Sequence, residues 1–166
     1  MPDSARSLGP QLLVVLAAAC SPSGTDGADQ LLLGPRVGTV IPEPVFRDFY
    51  TALPAQQTVV GDPAAWRALW DGVTWGVSPE PPLPAVDFSR DLVLVAAMGR
   101  RPTGGYAVTI DSVYRHERGT AAYVTETEPG TGCITTQALT APAVGVTVPK
   151  EVAPIQFVVR RAVHDC

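Results

Sequence analysis

Residues 92–98 read Leu-Val-Leu-Val-Ala-Ala-Met without a polar interruption, the pattern of a strand covered on both faces. A few positions on, Tyr106, Val108 and Ile110 alternate with Ala107, Thr109 and Asp111, the period of two expected of a half-buried strand. This second run continues to His116 and is turned by Glu117, Arg118 and Gly119. Residues 120–126 then return with Ala122, Val124 and Glu126 on one side, which is a hairpin pattern. Further strands are predicted at 37–41, 57–60, 86–88, 134–139, 144–148 and 155–163. Residues 45–53 fit helical spacing through Phe46, Phe49, Tyr50 and Leu53, but their aromatic enrichment favours a strand. One helix is predicted, over about 63–70 and ending by Gly72: Asp62 can cap the first amides, Pro63 suits the first turn, and Trp66, Leu69 and Trp70 share a face. Tryptophans at that spacing read as core rather than as a binding surface. The prolines at 79, 81, 82 and 84 predict an ordered, partly extended loop. The fold class is therefore mainly β, an antiparallel sheet or sandwich with one short helix packed on it.

The first twenty residues stand outside this pattern. Arg6 and a short apolar stretch, too short to span a bilayer, end in Leu16-Ala17-Ala18-Ala19-Cys20, which resembles a bacterial lipoprotein cleavage box. That resemblance implies a signal peptide over 1–19, acylation of Cys20, and an envelope location with the domain on the extracytoplasmic side. An ordinary secretory peptide, leaving Cys20 as a thiol, is the alternative. The polar, Gly- and Ser-containing residues after Cys20 have nothing to bury, so 20–33 read as a linker and 34–166 as a single β-rich domain. Outside the cytosol, Cys133 and Cys166 are the natural disulfide pair, with two free thiols as the rival state. A metal site would need more ligands than the scattered His116 and His164 add.

Net charge is −4 and Lys150 is the single lysine, so there is no basic face for nucleic acid. No Gly-x-Ser-x-Gly, His-Glu-x-x-His or phosphate loop is present. His116 beside Glu117, His164 beside Asp165, and the same-side pair Glu126 and Glu128 are isolated titratable groups without a nameable nucleophile. The expectation is a protein that is not an enzyme and uses no cofactor and no metal.

The loop 99–106, Gly-Arg-Arg-Pro-Thr-Gly-Gly-Tyr, carries more than a plain turn requires: two arginines, a proline, a hydroxyl and two glycines. Its Thr103-Gly104-Gly105-Tyr106 core resembles the signature of the C-terminal domain family named after the PrcB subunit of a bacterial surface protease complex. Thr140-Ala141-Pro142 and the Val146 to Lys150 segment match that family's later Pro-containing and Val-Pro-Lys pieces, and the similarity runs from about residue 65 to 157 or beyond. The resemblance implies a non-catalytic domain that binds and stabilises or assembles an extracytoplasmic protease or protein complex. The candidate contact residues are Arg100, Pro102, Thr103, Gly104, Gly105 and Tyr106, with Arg100 and Tyr106 as anchors and the others shaping the backbone. A structural role remains open beside this, with the glycines turning the chain, Tyr106 packing at the strand start and the arginines forming a solvated shoulder. Two further functional classes are a protease inhibitor, because Pro-Thr-Gly-Gly-Tyr is similar to the Pro-Thr-Thr-Gly-Tyr loop of chagasin-like inhibitors, and a structural envelope lipoprotein without a protease partner.

Overall fold

A computed structural model describes residues 36–152 and 154–166; the signal-peptide, Cys20 and linker assignments lie outside the described residues. The strands are β1 (Arg36–Val40), β2 (Glu43–Asp48), β3 (Ala55–Val60), β4 (Asp91–Met98), β5 (Ala107–His116), β6 (Gly119–Pro129), β7 (Ala143–Pro149) and β8 (Ile155–His164). Among the described residues one α-helix, α1 (Pro63–Val73), follows β3, and a 3-10 turn over Lys150–Val152 precedes β8. The strands form two four-stranded sheets, ordered β1-β5-β6-β8 and β2-β7-β4-β3. The described residues form the expected sandwich with one helix, and the strand pairings are antiparallel except β6 with β8, which run parallel.

The unbroken apolar run of β4 follows from its position. Leu92, Leu94, Ala96 and Met98 face the space between the sheets with Val108, Val113, Val124, Val144, Val146 and Val148. Val93, Val95 and Ala97 face the other way, against Trp66, Trp70 and Val73 of α1. With a sheet on one side and a helix on the other, neither face reaches water, so no polar alternation develops. Each of these buried valines and leucines contributes about 1.5–3 kcal/mol of transfer free energy.

Helix α1 starts as expected. Asp62 Oδ1 accepts the amides of Ala64 and Ala65, each at 2.9 Å, satisfying two of the free N–H groups of the first turn. The helix runs through Gly72 to Val73, because Ala52 N–H donates to the Gly72 carbonyl at 2.8 Å and Leu53 packs over that glycine. Trp66 and Trp70 are core residues, with rings 5.7 Å apart and Phe46 of β2 at 6.2 and 6.0 Å. Their indole N–H groups donate to the carbonyls of Pro84 (3.0 Å) and Pro81 (3.1 Å). The proline-rich loop is thus ordered by the helix it covers.

Three predicted strands differ. Residues 86–88 form no strand but lead into a turn over 88–90, since Asp87 accepts the Ser89 amide and hydroxyl and its carbonyl accepts the Arg90 and Asp91 amides. The Ser89 bonds hold the Asp87 carboxyl below its ordinary range. The 45–53 strand stops at Asp48, where Asp48 Oδ1 takes the Tyr50 amide at 2.7 Å and closes an Asx-type turn. Residues 134–139 form no strand, and Ile134 is fully exposed. Their neighbour is the loop 101–104, to which this stretch contributes isolated hydrogen bonds rather than a ladder.

Candidate functional site

The loop 99–106 is a crossover, not a hairpin, because β4 belongs to one sheet and β5 to the other. It is clamped along its length. Arg101 and Thr140 exchange backbone hydrogen bonds at 2.7 and 3.1 Å. The Thr140 hydroxyl donates to the Thr103 carbonyl at 2.8 Å, and the Gly104 amide donates to the Thr136 carbonyl at 2.9 Å. The Thr103 hydroxyl is turned back onto the Gly104 carbonyl.

The two glycines are required by this clamp. Gly104 is buried, and a Cβ there would collide with Thr136 Oγ1. Gly105 has φ +86°, and a Cβ would lie 3.0 Å from Pro129 Cβ and 3.3 Å from Thr135 Cγ2, a left-handed conformation that L side chains rarely adopt. Gly105→Ala is expected to destabilise the protein by about 1–3 kcal/mol, measured by urea denaturation; a change within about 0.5 kcal/mol would show that the clamp yields without cost.

The six candidate contact residues therefore separate. Arg100 and Pro102 are exposed, Thr103 is half-buried, Gly104 is buried and Gly105 is exposed. Tyr106 is half-buried and packs against the inter-sheet core. Its side chain belongs to the sandwich rather than to the loop surface. Arg101 turns inward, with its guanidinium 5.6 Å from the Tyr106 ring centre and its Nε buried.

Arg100 faces a groove of about 300 Å³ whose walls include Tyr50, Trp75, Leu139 and Thr140. Tyr50 is 67% exposed, Trp75 72% and Leu139 58%, an unusual gathering of large apolar side chains at the surface of one small domain. Arg100 forms no ion pair among the described residues. The groove is assembled from four separate stretches: the end of β2, the start of the proline-rich loop, the crossover and the 130–142 segment. That last segment is tied to the C-terminus by the Cys133–Cys166 disulfide, with Cα atoms 5.2 Å apart.

No group of three or more His, Cys, Asp and Glu able to hold a metal occurs among the described residues. Glu126 and Glu128 line one small cavity. The parallel pairing sets Glu126 opposite Arg161 of β8, and Gln57 of β3 reaches it across the sheets. The sequence signal for Arg161 was its place in the inward series Ile155, Phe157, Val159; the signal for Gln57 was absent, since its partner lies in the opposite sheet.

These features define a disulfide-closed, two-sheet β-sandwich with a clamped crossover loop and an aromatic groove beside it. Residues 92–149 match the family described as PrcB C-terminal, so the chain carries a PrcB C-terminal-like domain running from β4 through β7. The match contains the crossover loop and its clamp, and is narrower than the 65–157 span that the sequence resemblance suggested. No curated protein and no solved structure matches the chain.

Proposed function

We propose that this protein is a non-catalytic binding subunit, held to a bacterial envelope membrane by lipid on Cys20, whose sandwich docks an extracytoplasmic protease or protein complex that it stabilises or assembles. The family match supports a role beside a protease complex. The observation that carries the binding role is the groove joining Arg100 to Tyr50, Trp75 and Leu139. Tryptophan, tyrosine and arginine are the residue types that dominate interface energetics, and here all three stand exposed around one concavity. The backbone beneath them is already fixed by the Arg101–Thr140 and Thr140–Thr103 bonds, so little chain entropy is lost on docking.

This reading moves the contact surface from the tip of the loop to its first residue. The loop tip is pinned and partly buried, which gives less support to an inhibitor that inserts Pro102 to Tyr106 into a protease cleft. A purely structural lipoprotein leaves three exposed large apolar side chains around an unpaired arginine without a role.

Arg100→Ala combined with Trp75→Ala is expected to leave the thermal midpoint almost unchanged while lowering capture of the partner from native envelopes at least ~10-fold, a loss of about 1.4 kcal/mol. Undiminished capture by the folded double variant excludes the groove as the docking surface.

A further inference from the structure

We infer that the open edge of the sandwich between β3 and β8 holds a second, independent site, built to bind the zwitterionic head of a free α-amino acid. The site lies where the inter-sheet core stops being apolar. Cross-strand pairing places Val59 opposite Leu94 and Gln57 opposite Ala96 on the inner face of one sheet. On the other sheet it places Val159 opposite Val124 and Arg161 opposite Glu126. Partners across a ladder share a face, so Gln57, Val59 and Val159 lie on the gap side of their sheets, with Arg161 at the rim, its side chain 81% exposed. The two sheets do not close over them: Val59 remains 39% and Val159 41% exposed.

Where β6, β8 and the crossover loop meet lies a cavity of about 170 Å³ lined by Met98, Arg101, Glu126, Glu128 and Arg161. That is below the range of drug-sized pockets and close to the engineered cavity of about 150 Å³ that accepts benzene. Its occupant is therefore no larger than a single amino acid.

The charges of the cavity are incompletely matched to one another. Glu126 has only a tenth of its side chain exposed, yet its contacts are long: Gln57 Nε2 donates to Oε1 at 3.4 Å, and Arg161 Nε stands 3.7 Å from Oε2. Charge-assisted bonds ordinarily close to about 2.7–2.9 Å. Arg101 Nε is buried with no hydrogen-bond partner, and Arg101 makes no ion pair with either glutamate. A buried carboxylate and a half-buried arginine whose buried Nε has no hydrogen-bond partner thus face the same small space without satisfying each other, at a free-energy cost that a bound group would relieve. The formal charge of the cluster is zero, from two arginines and two glutamates. A simple anion meets the glutamates and a simple cation meets the arginines. A compact molecule carrying a carboxylate for Arg101 and Arg161 and an ammonium for Glu126 and Glu128 meets only complementary charge.

This inference stands apart from the docking groove, with which it shares no lining residue. Its test is titration of the full-length protein with L-alanine, N-acetyl-L-alanine and L-alaninamide, followed by the backbone amide shifts of Gln57, Arg101 and Arg161. L-Alanine is expected to give saturable shifts at all three, and each half-charged analogue to bind at least ~10-fold more weakly. Glu126→Gln is expected to abolish the alanine response, and Arg161→Ala, a change at an exposed side chain that leaves the core intact, to weaken it at least ~10-fold. Absence of saturable shifts with L-alanine, binding of N-acetyl-L-alanine as tightly as L-alanine, or an unaltered response in folded Arg161→Ala would each overturn the inference.

Discussion

Trp66→Ala is expected to remove about 3–5 kcal/mol of stability, a large fraction of the roughly 5–15 kcal/mol that a domain of this kind possesses. The side chain is 1% exposed and lies against Phe46 and Trp70. Truncation leaves a cavity between α1 and β4 that the rigid sheet cannot fill. It also deprives the Pro84 carbonyl of its indole donor, so the proline-rich loop is expected to loosen along with the core. Trp75→Ala, one helical end away and exposed, is expected to stay within about 0.5 kcal/mol. Urea unfolding of the two variants side by side separates a core tryptophan from a surface one; equal losses would contradict the division of roles.

Removal of the Cys133–Cys166 bridge is the second large effect. The cysteines are 33 residues apart, and closing a loop of that length stabilises by about 3–4 kcal/mol in the chain-entropy description. The bridge holds the 130–142 segment, and with it Thr136 and Thr140, against the crossover loop. The Cys133→Ser, Cys166→Ser variant is therefore expected to lose roughly 10–15 °C of thermal midpoint and to increase hydrogen exchange at the Gly104 and Arg101 amides, which donate to Thr136 and Thr140. A midpoint drop with unchanged exchange at those two amides would show that the bridge stabilises the fold without bracing the loop.

What the sequence disclosed depended on whether a physical signal was local. The β4 run was legible because burial on both faces leaves seven apolar residues in succession, and α1 because Asp62, Pro63 and the two core tryptophans sit within nine positions of each other. The disulfide followed from compartment and count. Residues 134–139, between a Gly-rich turn and Pro142, read as a short strand with Ile134 and Leu139 at its ends, yet both end up exposed, because this segment's backbone serves the crossover loop and finds no ladder. The parallel pairing of β6 with β8 is a property of chain routing through the opposite sheet, and no residue in either strand announces it. Within the candidate site, Arg100 was legible as part of an unusual loop. Tyr50, Trp75 and Leu139 were not, since nothing but the tertiary fold brings the end of β2, the proline-rich loop and the 130–142 segment to the same groove. Tyr106 shows the converse: a motif residue read as a contact anchor, whose alternation with Val108 and Ile110 was equally compatible with the core side on which it packs.

Hydroxyl-radical footprinting of the protein in its native envelope complex, compared with the isolated protein, tests the docking groove most directly. Trp75, Tyr50 and Leu139 are solvent-exposed in the free domain, as are Val37 and Ile134 at sites that do not line the groove. The predicted result is strong protection of Trp75, Tyr50 and Leu139 in the complex with undiminished oxidation at Val37 and Ile134. Full oxidation of Trp75 in the assembled complex would contradict the assignment of this groove as the partner surface.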